Sequence, residues 1–340
     1  YNRIVSESGP TYVDWENPEN NTFHLALEVT CQNGGDEFRP DIVIFINGLP
    51  LSYIEVKQPN AIRDGKTAIQ SEQSRTAVRF ENRRFRRFNN ITQLISFSDN
   101  LPYISGQGQQ KQGSFYCSNA FSKTKFNAFK EEREEELIYS IHSLGEEEID
   151  AVLKDVNRFA LKSQPEFKTN QDPSTPCNTF ISSLYQKERL LFLLRYGLAY
   201  VEERSKDGTI QLQKHVMRYP QFFATKAIED AIGKGVKKGV IWHTQGSGKT
   251  ALSYFNIRYL TNYFSKQKIV PQFYFVVDRL DLADQATREF TKRGLKVKRI
   301  NRPQELNEKH DDYQVAVVNI QKFKDNSDLT DHSGYDLNRQ

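Results

Sequence analysis

A glycine-rich segment in the second half of the chain, His243-Thr-Gln-Gly-Ser-Gly-Lys-Thr250, most constrains the fold. The apolar run Gly239-Val-Ile-Trp242 precedes it and is predicted to be a strand, and a helix is predicted after Lys249. A strand, a glycine-rich loop and a helix in this order direct backbone N–H groups and a helix N-terminus at a phosphate group. The segment therefore predicts a nucleotide-binding α/β domain.

The residue types of this loop predict how ATP and Mg²⁺ would bind. Glycines allow the backbone to approach the phosphates, a lysine reaches the terminal phosphates, and a Ser or Thr hydroxyl binds the metal. His243 stands where the strict pattern has glycine. The predicted nucleotide-binding residues are Thr244, Gly246, Ser247, Gly248, Lys249 and Thr250, of which Thr250 is also a predicted metal ligand.

Strands predicted at Phe273–Val277 and Gln314–Asn319 alternate with helical sequence, a pattern typical of a parallel sheet. The segment that begins at Val276 and contains Arg279 resembles a helicase segment that contacts nucleic-acid phosphates. A later segment with Gln321, at Val318–Phe323, resembles another of the same kind.

Helicase-like motors also carry a glutamine upstream of the loop that reads adenine, and Gln221 has this placement. An ordinary glutamine at a helix start is the alternative. An Asp-Glu pair that would hold Mg²⁺ and position water does not follow Phe323. We therefore expect a fragment of a longer protein that binds ATP but hydrolyses it poorly.

The N-terminal region contains two apolar runs, Ile42–Ile46 and Leu51–Val56, separated by the hairpin signal Asn47-Gly48. Such a hairpin predicts that Asp41, Glu55 and Lys57 lie side by side. Two carboxylates can hold Mg²⁺ and a neighbouring lysine can orient or activate water, as metal-dependent phosphodiester cleavage requires.

This arrangement resembles the PD-(D/E)xK nuclease core, with Pro40-Asp41 followed by Glu55-Val56-Lys57. An exposed strand face with scattered charges is the alternative. Related nucleases carry a glutamine on the next helix, for which Gln70 and Gln73 are candidates.

The segment Arg79–Phe88 interleaves five arginines with three aromatic residues, and Arg83 and Arg84 are candidates for contacts with DNA phosphates. A solvated basic face, or one docked on the acidic run Glu131–Glu136, fits the same pattern.

These motifs together resemble the R (restriction and translocation) subunit of type I restriction-modification enzymes over essentially the whole chain. The resemblance implies ATP-dependent translocation of double-stranded DNA, Mg²⁺-dependent cleavage, and assembly with methylation (M) and specificity (S) subunits. Composition and periodicity predict an α/β chain of three regions, at 1–125, 126–210 and 211–340. The resemblance implies that these are a nuclease-like mixed sheet with flanking helices, a helical connector and an incomplete RecA-like lobe.

Two alternatives stay open. One is a nuclease–helicase of repair or another defence system. The other is a P-loop ATPase whose nuclease-like module is inactive and only binds DNA or protein.

The composition of the chain excludes some classes of protein but does not identify a function. The net charge of +4 says little about partners, and the three cysteines are far apart and form no CxxC pair. We therefore expect no disulfide framework and no zinc site. The apolar runs are short and no signal stretch begins the sequence, so we expect a cytoplasmic protein without a membrane segment.

Overall fold

A computed structural model of the chain describes residues 12–106, 109–119, 124–133, 137, 144–204, 208–302, 304–305 and 312–321. The chain divides into two compact units. The first contains Tyr1–Ala199 and Gln211–Phe223, and the second contains Tyr200–Ile210 and Ala224–Gln340.

The first unit is built on a six-stranded mixed sheet. Along the sheet its strands are β1 (Phe23–Leu27), β4 (Ile42–Ile46), β5 (Leu49–Val56), β8 (Leu94–Ser98), β11 (Ser114–Cys117) and β12 (Asn127–Ala128). Strands β5 and β8 are parallel, whereas the other neighbours are antiparallel. This arrangement confirms the predicted mixed α/β character of the region.

The hairpin between β4 and β5 has the predicted turn. Asn47 and Gly48 have φ values of 49° and 80°, which suit a tight turn between antiparallel strands. Ile42 pairs with Ile54, so the same register, extended by one residue, sets Asp41 opposite Glu55.

Helix α1 (Ala68–Glu81) packs on the face of the sheet that bears Glu55. It begins with a capping box, in which the Thr67 hydroxyl accepts from the Gln70 N–H and the Gln70 side chain accepts from the Thr67 N–H. The helix buries Ile69, Glu72, Thr76 and Phe80, which recur every three or four residues. Two of these four are polar, an unusual content for a core-facing stripe.

The remaining elements of the first unit are short strands and several helices, most of which lie between residues 146 and 196. The short strands are β2 (Cys31–Asn33), β3 (Asp36–Phe38), β6 (Ile62–Arg63), β7 (Lys66–Thr67), β9 (Ser105–Gly106) and β10 (Gln109–Gln110). The helices are α2 (Arg86–Ile91), α3 (Glu146–Asp155), α4 (Pro165–Thr169), α5 (Pro176–Leu184) and α6 (Lys187–Tyr196), with 3-10 turns at Pro18–Asn20, Arg83–Phe85 and Phe159–Ser163.

The division between the units falls near β13 (Leu198–Arg204), β14 (Ile210–Val216) and α7 (Tyr219–Gly233). The three-domain division expected from the sequence stays a prediction.

The second unit contains a parallel sheet of three strands in the order β15, β17, β16. The elements are α8 (Lys249–Ser265), β15 (Phe273–Val277), α9 (Leu280–Lys292), β16 (Val297–Ile300) and β17 (Val315–Asn319). The predicted parallel strands and the helix after the glycine loop are thus confirmed.

The strand predicted at Gly239–Trp242 is wrong for the structure. These residues form no regular element, and Val240 and Trp242 are 90% and 91% exposed. A strand needs a neighbour to accept its backbone hydrogen bonds, and no described strand of the three-stranded sheet pairs with this run.

Among the described residues, no helix is both long and apolar enough to cross a membrane. The three cysteines are unpaired thiols.

Candidate functional site

The first candidate site lies where β4 begins and β5 ends. Asp41 directly precedes β4, and its Oδ2 accepts a hydrogen bond from the Val56 N–H at 2.7 Å. Lys57 directly follows β5, and its Nζ donates to Glu55 Oε2 at 2.6 Å and lies 3.9 Å from Asp41 Oδ2. The structure therefore places the carboxylates of Asp41 and Glu55 beside the ammonium group of Lys57.

Helix α1 adds two residues that the sequence reasoning missed. Arg79 Nη1 lies 3.1 Å from Glu55 Oε1 and 3.0 Å from Glu72 Oε1, so it bridges the two carboxylates. Glu72 Oε2 in turn lies 3.1 Å from Lys57 Nζ. The signal in the sequence was the spacing of Glu72, Thr76 and Arg79, which puts three polar residues on one face of an amphipathic helix.

Burial makes this cluster electrostatically unusual. Glu55 is 3% exposed and Glu72 is completely buried. Burial raises the pKa of Glu55, and Glu72 raises it further, while Lys57 and Arg79 act in the opposite direction. Burial alone lowers the pKa of Arg79, but the nearby carboxylates, Glu72 foremost, outweigh it and the pKa is raised.

The carboxylates of Asp41 and Glu55 are suited to binding a divalent cation whose remaining ligands come from outside this pair. Asp41 and Glu55 turn carboxylate oxygens toward the same ammonium group, so that position already attracts positive charge. In the described part of the chain, no group of three or more His, Cys, Asp or Glu side chains is arranged to hold a metal. Mg²⁺ is commonly held by one or two carboxylates with water and substrate phosphate as further ligands.

The two candidate glutamines of α1 differ in their surroundings. Gln70 Oε1 accepts from the Thr67 N–H at 3.1 Å, so this amide is used to cap the helix. Gln73 is half-buried on the same helix. A contact of either with DNA stays a prediction.

The candidate arginines lie in the short turn that follows α1. Arg83 is exposed, whereas Arg84 Nη1 lies 3.2 Å from Asp36 Oδ1 and is more than half exposed. Glu131, at the start of the acidic run, is buried and lies 2.6 Å from Arg189 Nη1. This residue therefore does not serve as a dock for the basic segment, and residues 134–136 of the run lie outside the described part.

The second candidate site is the glycine-rich loop, which ends in helix α8. Gly246 and Gly248 have φ values of 78° and 86°, a conformation that favours glycine. Lys249 Nζ donates to the backbone carbonyls of His243 at 3.1 Å and Thr244 at 3.2 Å. The loop thus wraps around the ammonium group at the N-terminus of a helix, where an anion is stabilised.

The other members of this loop have varied exposure. Thr244 is exposed, Thr250 is half-buried, and Ser247 is buried. The Ser247 N–H donates to the Thr244 carbonyl at 3.3 Å and closes the turn.

Gln221 lies in the first turn of α7 in the first unit, and the loop lies in the second. Its Oε1 accepts from the Arg218 N–H at 3.0 Å, and the residue is 2% exposed. This is the geometry of a helix-start glutamine. A role in reading adenine stays a prediction.

Arg279 and Gln321 follow the carboxyl ends of the adjacent parallel strands β15 and β17. The Ile320 N–H donates to the Val277 carbonyl at 2.7 Å, so the two segments leave the sheet together. Arg279 is exposed and forms two hydrogen bonds with Asp281, at 2.6 and 3.1 Å, and Gln321 is exposed. Contacts of both with DNA stay predictions.

Two known protein families match separate parts of the chain. Residues 3–135 match the family described as the type I restriction enzyme R protein N terminus, and residues 220–338 match the SWI2/SNF2 ATPase family. The chain thus joins an R-protein N-terminal domain to an ATPase segment. The matched parts and the relatives support an R subunit of a type I restriction enzyme, as the motifs of the sequence implied.

Curated relatives agree with this assignment. The putative type I restriction enzyme MjaVIIP endonuclease subunit of Methanocaldococcus jannaschii is 29% identical over 81% of the chain and 21% of its own length. The HindI endonuclease subunit of Haemophilus influenzae is 25% identical over 82% of the chain and 22% of its own length. The aligned part of the chain therefore spans about a fifth of these relatives.

Proposed function

We propose that this chain carries the nuclease centre and part of the ATP-driven motor of a type I restriction enzyme. The observation that carries the proposal is the approach of the Glu55 and Asp41 carboxylates to the ammonium group of Lys57, at 2.6 and 3.9 Å. The relatives are named as endonuclease subunits, which supports this proposal.

In the proposed nuclease, which would belong to the PD-(D/E)xK class, Asp41 and Glu55 would hold Mg²⁺. The ion when bound would polarise the scissile phosphate and stabilise the negative charge that develops on it. Lys57 would orient or activate the attacking water, because its ammonium group is held beside both carboxylates. The Val56 N–H fixes one oxygen of Asp41 and so orients this side chain.

In the proposed RecA-like motor, the loop from Thr244 to Thr250 would bind ATP. Lys249 would exchange its two backbone carbonyl partners for the terminal phosphates, and Thr250 would contact Mg²⁺. The N-terminus of α8, a helix of 17 residues, adds a positive dipole end at the same place.

The proposed substrate is double-stranded DNA, and the proposed partners are M and S subunits. Exposed Arg83 and the exposed pair Arg279 and Gln321 supply candidate contacts for phosphates in their respective units. Sequence recognition would reside in the S subunit and not in this chain.

The substitution Lys57→Ala in the enzyme assembled with its M and S subunits tests the nuclease assignment. DNA cleavage is expected to fall by at least about 100-fold, as for loss of a general acid–base group, while ATP turnover persists. Lys66→Ala, at an exposed lysine of β7, is the matched control and should cut normally. Continued cleavage by Lys57→Ala would remove Lys57 from the mechanism.

A further inference from the structure

Glu72 is a completely buried carboxylate that contacts both cations of the candidate nuclease centre. Its Oε1 lies 3.0 Å from Arg79 Nη1, and its Oε2 lies 3.1 Å from Lys57 Nζ. The Thr76 hydroxyl also donates to Oε1 at 3.2 Å. Each oxygen therefore has a charged partner that also contacts Glu55.

Glu72 changes the net charge of the centre. Asp41 and Glu55 carry two negative charges, and Lys57 and Arg79 carry two positive charges close to them. These four groups alone have no net charge, which limits their attraction for a divalent cation. Glu72 makes the cluster negative by one charge.

A second arginine lies near Glu72 but adds less. Arg75 Nη2 is 3.5 Å from Glu72 Oε2, and the Arg75 side chain is 56% exposed. Water and salt screen an exposed charge strongly, whereas the buried groups are screened much less. The Asp41 side chain is 43% exposed and is also partly screened. Among the buried groups, Glu55 and Glu72 oppose Lys57 and Arg79, so loss of the Glu72 charge would leave these groups with a net positive charge.

Packing alone gives no reason for a carboxylate at this position. The same face of α1 places Ile69 and Phe80 against the sheet, and an apolar side chain at position 72 would continue that stripe. A buried carboxylate costs desolvation energy, and it is tolerated here because two cations surround it.

We propose that Glu72 is a positioning residue for metal binding, acting as the counter-charge that holds Lys57 and Arg79. Because Glu72 contacts both cations and adds one negative charge, the carboxylates of Asp41 and Glu55 are left with a net attraction for a divalent cation. If a divalent cation were bound by Glu55, Glu72 would still hold Lys57 beside the centre. This inference rests on the proposed nuclease function and extends it to a residue that would not touch the metal.

Calorimetric titration of the whole chain with Mn²⁺ tests the proposal. Glu72→Gln, which keeps the shape and removes the charge, is expected to weaken Mn²⁺ binding at least about tenfold, given the size of charge interactions over a few ångströms at an effective dielectric constant near 20. Glu72→Asp, which keeps the charge, is expected to retain most of the affinity. Glu81→Gln, at the exposed end of the same helix, is the control and should bind as the unaltered chain does. Unchanged binding by Glu72→Gln would overturn the proposal.

A charge-balanced pair of substitutions separates this role from a merely structural one. Glu72→Gln combined with Arg79→Met removes one charge of each sign, so Mn²⁺ affinity should recover toward that of the unaltered chain. Arg79→Met alone makes the centre more negative and should bind Mn²⁺ more tightly, which keeps the test decisive if Glu72→Gln fails to fold. A double variant no better than Glu72→Gln, or weaker binding by Arg79→Met, would contradict the charge-balance role.

Asp41→Ala distinguishes failure of this inference from failure of the nuclease proposal. If the unaltered chain binds Mn²⁺ and Asp41→Ala does not, while Glu72→Gln binds normally, only the role of Glu72 is wrong. If the unaltered chain does not bind Mn²⁺, or Asp41→Ala binds equally well, both proposals fall.

Discussion

Lys57 and Lys249 illustrate how one residue type serves two kinds of site. Lys57 is surrounded by carboxylates at the end of a strand, whereas Lys249 donates to backbone carbonyls at the start of a helix. The first environment is suited to holding a cation or water near a scissile phosphate. The second is suited to an anion that replaces the carbonyl oxygens.

Lys214 on β14 is a third lysine with a distinct environment, since it is 9% exposed and donates to Gln93 Oε1 at 3.0 Å. Burial lowers the pKa of Lys214 to about 7 from an ordinary value of 10.5. Between these values the unfolded chain binds more protons than the folded one, so the free energy of unfolding should rise with pH by up to about 1.4 kcal/mol per unit. Below pH 7 both states are protonated and this contribution to the slope vanishes.

Urea unfolding between pH 7 and 9.5 measures the effect, with Lys214→Met as the comparison. The variant should be the more stable protein at pH 7, and the difference should shrink as the pH rises. A difference that stays constant across this range would show that the ammonium group is not held in the low-dielectric environment that the structure gives it.

Among the elements, α1 supplies the largest part of the site that the sequence analysis missed. The capping box at Thr67 and Gln70 sets where this helix begins, and that start determines which residues face the sheet. The sequence analysis placed Arg79 in the basic segment Arg79–Phe88 and did not consider Glu72. The contacts of Glu72 and Arg79 depend on which face of α1 is turned toward the sheet. The sequence periodicity indicates that face only when the polar residues Glu72 and Thr76 are counted with the apolar residues Ile69 and Phe80.

Gln70→Ala tests whether this glutamine supports the helix or the function. Loss of the acceptor for the Thr67 N–H should lower the free energy of unfolding by about 0.5 to 1 kcal/mol, as for other helix caps, and leave Mn²⁺ affinity unchanged. Thermal unfolding and metal titration of the same preparation give both quantities. Unaltered stability combined with weaker DNA binding would favour the functional role instead.

The hairpin and the apolar run before the loop show what local sequence can determine. Asn47-Gly48 selects a tight turn by its backbone preferences, so β4, β5 and the approach of Asp41 to Glu55 could be predicted from a few residues. The run Gly239–Trp242 has strand-like composition, but a strand requires a partner. No described strand lies beside it, and its large side chains are exposed.

At the scale of the whole molecule, the two candidate sites lie in different compact units. Asp41, Glu55 and Lys57 belong to the first unit, and the loop that ends at Lys249 and Thr250 belongs to the second. The sequence could predict this order because each site is marked by a compact local motif. It could not predict the buried ionic cluster, because that depends on residues brought together from three elements.

This separation predicts where each ligand should protect the backbone from hydrogen exchange. A ligand that binds only the folded state stabilises the part it contacts, by about 2.7 kcal/mol at 100 times its dissociation constant. Mn²⁺ should slow exchange in β4, β5 and α1, whereas ATP should slow exchange in the loop and α8. Hydrogen exchange followed by mass spectrometry locates both effects. If Mn²⁺ added without ATP protected only α8, the proposed placement of the nuclease centre would be contradicted.

The most direct test of the nuclease centre is calorimetric titration of the chain with Mn²⁺, comparing the unaltered protein with Asp41→Ala. Glu37→Gln, at an exposed carboxylate four residues before Asp41, serves as the control for removal of a negative charge. We expect binding by the unaltered chain and by Glu37→Gln, and loss of binding in Asp41→Ala. Equal binding by all three proteins, or binding by none, would contradict the assignment of a metal-dependent nuclease centre to Asp41 and Glu55.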